Sequence, residues 1–213
     1  MPDRINYKYL LKFKKLIVDY SKKERIIIVC GGGKTARDYI GPLQKLHLGN
    51  KLECYIGIRV TRLNAWLLIN LFQGKSAPIL AKSYKEVKYL LKRYNVIIIG
   101  GLGYQLDGTS DTSAVSLAKM LKSDFINITN VKGVYDKNPK FGDAKFIPKM
   151  TFNQLYNLLS KVRFKPGQHT ILDFESAKIL KKNNIKTYVI GPNLKNLKKL
   201  LNKKKFTGTI ISG

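Results

Sequence analysis

The chain has 213 residues, a size for one large domain or two small ones, and its 40 Lys plus Arg against 13 Asp plus Glu give a net charge of +27. With 44% hydrophobic and 10% aromatic residues it can bury a core, which excludes a disordered basic tail. No apolar run reaches the roughly 18 residues of a membrane helix, Met1 is followed at once by Pro2, Asp3 and Arg4 with no signal-peptide pattern, and the two cysteines cannot build a disulfide framework or a metal cluster.

A cytoplasmic protein with no membrane partner is therefore expected. The charge asks for an anionic ligand. Because the lysines are spread over many segments, such as Lys12 to Lys15, Lys82 to Lys92 and Lys195 to Lys205, they read as solvated helix faces rather than a specific nucleic-acid surface.

In chain order, Leu10 to Tyr20 has helical spacing of apolar residues, and Arg25 to Cys30 is a β-branched run with Cys30 as a buried strand residue. It ends at Gly31, Gly32 and Gly33. The same order returns with a helix over Tyr84 to Tyr94, a buried strand over Val96 to Ile99, and the break at Gly100 and Gly101. A helix over Ser113 to Lys122 follows, with Asp111 or Thr112 available as its cap. Phe125 to Thr129 is a strand, and the polar stretch through Pro139 and Gly142 reads as irregular. Ser176 to Lys182 is a helix with Asp173 as its cap. Thr187 to Ile190 is a strand, Leu194 to Asn202 a helix and Thr209 to Ile211 a last strand. Alternation at this spacing predicts an α/β fold, a three-layer αβα sandwich around a mainly parallel central sheet.

Ligands of parallel α/β sheets bind at the carboxyl ends of strands, where both glycine turns fall. Gly31 to Gly33 and Lys34 offer unobstructed N–H groups at a helix start beside a cation, a cradle for phosphate; a tight turn needing positive φ is the alternative. A Walker A loop is excluded, since its first glycine would fall at Ile28. Gly31, Gly33 and Ala36 fit the dinucleotide fingerprint, with Glu53 about 20 residues on, but the chain opens with a helix where that unit needs a strand. The second turn, Gly100, Gly101 and Gly103, leads into Asp107, Gly108, Thr109, Ser110 and Asp111. Hydroxyls and amides there suit an anion, while Asp111 could cap the helix, hold a metal ion or orient cations around a phosphate. His47 and His169 lack neighbours at metal-ligand spacing and read as surface or loop residues.

The string Thr129, Asn130, Val131, Lys132, Gly133, Val134, Tyr135, with Pro139 beyond, resembles the nucleotide-binding segment of the amino acid kinase family. Together with Gly31 to Arg37, Gly57 to Ala65, the double-glycine turn and the closing Gly208, Thr209 and Ile210, the chain is similar to the archaeal-type uridylate kinases of that family. The resemblance implies one amino acid kinase-like domain over residues 1–213, with a UMP-side lobe over 1–124 and an ATP-side lobe over 125–213. It implies phosphoryl transfer from ATP to UMP with Mg²⁺ assistance in pyrimidine nucleotide synthesis, in a homohexamer built of dimers. By the same resemblance Asp111 would be the catalytic organiser. Gly32, Cys54, Arg62, Leu102, Gly108, Thr109 and Ser110 would contact UMP, and Gly33, Arg37, Thr129, Asn130, Tyr135 and Asn138 would contact ATP. Tyr135 could equally anchor its loop, and Arg62 could equally be a dimer-contact residue.

The chain also departs from the family pattern. Cys54, beside Glu53, stands where an aspartate usually grips the UMP ribose, and Lys132 and Asn138 replace two expected aspartates. The Lys165, Pro166, Gly167, Gln168 run resembles the family's flexible segment before its late helix. Members open with a strand ending in Gly-Gly-Ser, so a strand and turn of that kind are expected ahead of Met1. Two readings of function remain: a UMP kinase, or a relative that binds nucleotides without turnover.

Overall fold

The computed structural model describes residues 5–104, 108–139, 142–161, 166 and 171–213. Its described residues divide into two units, Met1–Ser113 with Phe164–Gln168 and Ala114–Arg163 with His169–Gly213.

In the first unit, α1 (Tyr7–Tyr20) buries Phe13 and Ile17 and is capped by Asn6, whose side chain accepts the Tyr9 N–H at 3.0 Å. β1 (Ile26–Val29) leads into α2 (Gly33–Lys45), which packs Ala36 and Ile40 against Val60 of α3 (Asn50–Phe72). α4 (Tyr84–Leu90) precedes β2 (Val96–Ile99), every residue of which is buried. β1 and β2 pair in parallel, and α5 (Ser110–Leu121) starts in this unit.

α3 goes beyond the elements that periodicity predicts. It buries Val60, Ala65, Leu68, Ile69 and Phe72 while leaving Leu52, Tyr55, Leu63 and Trp66 exposed. A helix that is apolar nearly all round carries little of the alternation by which amphipathic helices are read.

In the second unit, β3 (Phe125–Ile128), β7 (Thr187–Ile190), β8 (Thr209–Ser212) and β6 (Lys149–Thr151) form one sheet in the order β3-β7-β8-β6, among the short strands β4 (Val134–Tyr135) and β5 (Phe146–Ile147). β3 and β7 are parallel, as are β6 and β8, while β7 and β8 are antiparallel. The core gathers Phe125, Val134, Leu155, Leu172, Leu180, Val189 and Ile211. α6 (Phe152–Ser160) is started by a capping box between Thr151 and Gln154. α7 (Phe174–Asn183) is capped by Asp173, which accepts the Ser176 N–H at 2.6 Å as the sequence predicts, and α8 (Leu194–Leu201) by Asn193.

Two expectations are corrected. The stretch after Thr129 is not wholly irregular, because Val134 and Tyr135 pair antiparallel with Ile147 and Phe146. A two-residue bridge is made by its partner, so local pattern does not reveal it. α5 begins at Ser110, ahead of the expected Ser113.

Candidate active site

β1 and β2 run in register from Ile26 opposite Val96 to Val29 opposite Ile99, and the Cys30 N–H extends the ladder onto the Ile99 carbonyl at 2.7 Å. Parallel pairing in this register brings both glycine turns to one edge of the sheet. Gly33 adopts φ +62°, and a Cβ on Gly32 would stand 2.4 Å from the Ala36 Cβ, so this turn requires glycine.

α3 grips both turns. Thr61 Oγ1 accepts the Gly101 N–H at 2.8 Å, and Arg62 Nε donates to the Gly101 carbonyl at 3.1 Å. Asn64 Nδ2 donates to the Gly31 carbonyl at 2.8 Å and to the Gly32 carbonyl at 3.3 Å. Thr61 and Asn64 are both buried. The start of α5 adjoins the first turn, since a Cβ on Gly31 would lie 3.8 Å from Ser110 Oγ. The Leu102 N–H donates to Ser113 Oγ at 3.3 Å.

The α5 cap is Thr109, not Asp111 or Thr112. Its hydroxyl accepts the Asp111 N–H at 3.1 Å, while Thr112 Oγ1 accepts the Thr109 N–H at 3.2 Å. The helix begins one residue after Thr109, so Asp111 and Thr112 are already inside its first turn, and Thr112 satisfies the N–H of the cap residue rather than being the cap itself.

Other side chains around the turns are already engaged. Lys34 pairs with Asp38 at 2.7 Å, one helical turn on and away from the cradle role its position suggests. Glu53 is buried, and its Oε2 accepts from Gln44 Nε2 at 3.1 Å; the same amide donates to the Pro166 carbonyl at 3.1 Å. Burial pushes the Cys30 thiol up to about 12, so it is a neutral packing group at neutral pH. A hydrogen bond from the Lys82 N–H holds the Glu86 carboxyl below the usual carboxylate range, and the positive charge of Arg62 adds to that effect.

In the second unit, Thr129 follows β3 and its N–H bonds to the Ile190 carbonyl at 2.9 Å, so Thr129 and Asn130 leave the carboxyl edge shared by β3 and β7. Tyr135 meets the Phe146 ring edge-on with centroids 5.7 Å apart, and Lys132 Nζ lies 4.6 Å over Phe146 and 5.9 Å from Tyr135. Tyr135 thus anchors the β4–β5 pair, whatever else it does. The Val134 N–H bonds to Thr209 Oγ1 at 2.8 Å, tying the segment to β8. Asn138 is exposed. A cavity of about 350 Å³ between β5, β6 and α6 is lined by Ile147, Met150, Gln154, Leu158 and others, none of them singled out by the sequence.

The amino acid kinase family's sequence profile matches residues 3–191. The chain belongs to the amino acid kinase family. It is 36% identical over 207 residues to the uridylate kinase of Archaeoglobus fulgidus, covering 94% of this chain and 91% of that protein. It is 35% identical over 211 residues to the uridylate kinase of Thermoplasma volcanium, covering 98% and 91%. The crystal structure of the Archaeoglobus fulgidus uridylate kinase superposes with a TM-score of 0.83 at 34% identity over 97% of this chain and 94% of that one. The UMP kinase structure from Ureaplasma parvum, at 24% identity and a TM-score of 0.78, shares the fold. The α/β architecture with mainly parallel sheets is thus the amino acid kinase fold.

Within this amino acid kinase, the first unit brings Gly32, Gly33, Arg62, Leu102, Thr109, Ser110 and Asp111 to one carboxyl edge. Arg37 is exposed one turn into α2, Cys54 lies on α3 two turns ahead of Thr61, and Gly108 immediately precedes the Thr109 cap. Asp107, Lys165, Gly167, Gln168 and His169 lie outside the described residues. His47 is exposed after α2, as expected of a surface residue. The sequence reading missed Thr61 and Asn64; the available signal was two polar residues set among the apolar positions of a long helix. No helix among the described residues is long and apolar enough to cross a membrane.

Proposed function

We propose that this chain transfers the γ-phosphoryl group of ATP to UMP, giving UDP and ADP. An oxygen of the UMP phosphate attacks the γ-phosphorus as the bond to the ADP bridging oxygen breaks. The transition state is loose, so positioning and charge neutralisation supply most of the catalysis. The observation that carries the reading is the convergence of two glycine turns and the hydroxyl-rich start of α5 on one edge. It is supported by close to full-length similarity to proteins named uridylate kinase.

The residue roles proposed are those the family resemblance implies, and the arrangement in the first unit supports them for the glycine turns and the start of α5. The N–H groups of Gly32 and Gly33 suit phosphate oxygens, because the Gly31 and Gly32 carbonyls of the same peptides are turned onto Asn64. Thr109, Ser110 and the backbone at Leu102 and Gly108 receive the acceptor phosphate, and Arg62 neutralises it. Arg37 serves the donor phosphates. Asp111 organises the transfer site. Cys54 occupies the ribose-side position, where a thiol is a weaker acceptor than a carboxylate. Thr129, Asn130, Tyr135 and Asn138 serve the adenosine side. The division into UMP-side and ATP-side lobes rests on the same roles.

Among the described residues no group of three or more His, Cys, Asp or Glu side chains could cage a metal ion. Mg²⁺ would be carried by the substrate phosphates near Asp111, and such an ion would supply charge neutralisation. A place in pyrimidine nucleotide synthesis in the cytoplasm goes with these substrates.

We further propose assembly through α3, in a hexamer built of dimers. Leu52, Tyr55, Leu63 and Trp66 share one face of the helix and are 49%, 39%, 63% and 43% exposed, a largely apolar stripe, interrupted by the exposed Arg59, on a chain of net charge +27. Arg62 turns instead toward Gly101.

The test is an assay of ATP consumption with UMP, with CMP and with no acceptor, with UDP identified chromatographically. Tight nucleotide binding without UDP formation would replace the kinase reading with that of a non-catalytic nucleotide binder.

A further inference from the structure

We propose that Thr61 and Asn64 are positioning residues that hold the two glycine turns as one unit, setting the direction in which the turns present their peptide N–H groups. In a trans peptide the carbonyl of one residue and the N–H of the next point in opposite directions. Asn64 Nδ2 draws the carbonyls of Gly31 and Gly32 toward α3, at 2.8 and 3.3 Å. The N–H groups of Gly32 and Gly33 therefore face away from α3. At the second turn, Thr61 Oγ1 takes the Gly101 N–H at 2.8 Å while Arg62 Nε takes the Gly101 carbonyl at 3.1 Å. The Leu102 N–H is thereby turned away from α3, and it meets Ser113 Oγ on α5.

The Gly32 carbonyl also accepts the Ala36 N–H at 3.2 Å where α2 begins, so the Gly32–Gly33 peptide is held from the helix as well; glycine peptides rotate at little cost, so without the α3 bonds the Gly31 and Gly101 carbonyls would sample other orientations. Thr61 and Asn64 are three residues apart, on one face of one helix and about one turn from each other. A shift of α3 at either contact therefore moves both turns together. The Thr61 hydroxyl also donates to the Ile58 carbonyl at 2.7 Å, so its lone pair is oriented before the Gly101 N–H arrives. Neither residue needs to touch a nucleotide. Each acts through the backbone that would.

This inference rests on the kinase reading for its kinetic consequence but not for its structural one. Thr61→Val removes the hydroxyl at nearly constant volume, Thr61→Ser restores it, and Asn64→Asp replaces the amide donor with a second acceptor. Assayed well below their melting temperatures, Thr61→Val and Asn64→Asp should each lose at least tenfold in kcat, with KM for UMP changed less than about threefold. Thr61→Ser should keep kcat within about threefold of the parent. The double variant Thr61→Val, Asn64→Asp should lose little more than the worse single variant, because the turns move as one unit.

Folded Thr61→Val and Asn64→Asp with kcat unchanged would overturn the proposal, as would multiplicative losses in the double variant. A purely structural role would lower the melting temperature without that kcat loss. If the parent chain forms no UDP, the kinase reading fails by itself. The positioning claim is then decided by the amide resonances of Gly32, Gly33 and Gly101: shifts at both turns in each single variant support it, and shifts confined to the nearer turn overturn it.

Discussion

Gly100 lies so close to Thr61 that a Cβ on the glycine would stand 2.7 Å from the threonine Oγ1 and 2.6 Å from its carbonyl carbon. The end of β2 and the middle of α3 are thus in backbone contact, which only glycine permits. Gly100→Ala should force the helix off the strand and destabilise the protein by about 1–3 kcal/mol or more, as overpacking does. Gly103→Ala, whose added Cβ would meet nothing within 4 Å, should be nearly neutral. Urea denaturation of the two variants beside the parent chain checks the contrast.

Arg62 offers a second test. Lysine keeps the charge but loses the planar fork, and with it the bond from Nε to the Gly101 carbonyl. Arg62→Lys should lower kcat/KM for UMP by about ten- to a hundredfold, or about 1.4–2.8 kcal/mol. Steady-state kinetics with UMP varied at saturating ATP measures it, and a variant within twofold of the parent would remove Arg62 from the acceptor site.

Asp111 lies in the first turn of α5, whose cap is Thr109. Asp111→Asn should therefore leave the melting temperature within a few degrees of the parent while kcat falls by about a hundredfold. Calorimetry and the UDP assay, run on one preparation, separate the two effects. A large drop in melting temperature with kcat retained would make Asp111 structural.

Cys30 sets a pH limit. Its thiol is raised in the folded protein from 9.0 to about 12 by burial, so the native state holds its proton where the unfolded chain has lost it. The stability due to the neutral thiol is fully present below pH 9 and declines as pH rises from there toward 12, by at most about 1.4 kcal/mol per pH unit. Cys30→Ala should flatten that decline. Comparing urea midpoints of the variant and the parent at pH 8 and pH 10 measures the difference, and equal losses in both would discount Cys30.

The exposed α3 stripe makes an assembly prediction. Trp66→Glu with Leu63→Glu should shift the protein to monomers, and high salt should not dissociate the parent, since Arg59 is the one charge among four exposed apolar side chains of that face. Sedimentation velocity at low and high salt reads both, and a monomeric parent would refute assembly through this face.

Features that depend on neighbours in the chain were legible in the sequence. Ile26 to Val29 and Val96 to Ile99 are strands because β-branched runs suit a parallel pair, half-buried in β1 and fully buried in β2. The breaks at Gly31 and Gly100 follow from glycine's freedom, and Asp173 caps α7 through a bond reaching only three residues along. The resemblance carried by Thr129 to Tyr135 and the glycine turns led to the family for the same reason: each motif is local.

Features that depend on residues brought together across the chain required the tertiary structure. Asn64 meets Gly31 across 33 residues and Thr61 meets Gly101 across 40, contacts that leave no trace in the periodicity of an apolar helix. Lys34 reads as the cradle's cation from its place after the glycines, and only the fold shows its ammonium paired with Asp38 on the surface of α2. The cap of α5 fell to Thr109 because helical backbone begins at Ser110. Local pattern was enough for β1, β2, β3, β7, most of the helices, the glycine turns and the family, but not for α3, the β4–β5 pair, β6 or α6. Which side chains orient the turns was decided by packing, since a hydrogen bond needs its partner within about 3 Å and only the fold supplies that proximity.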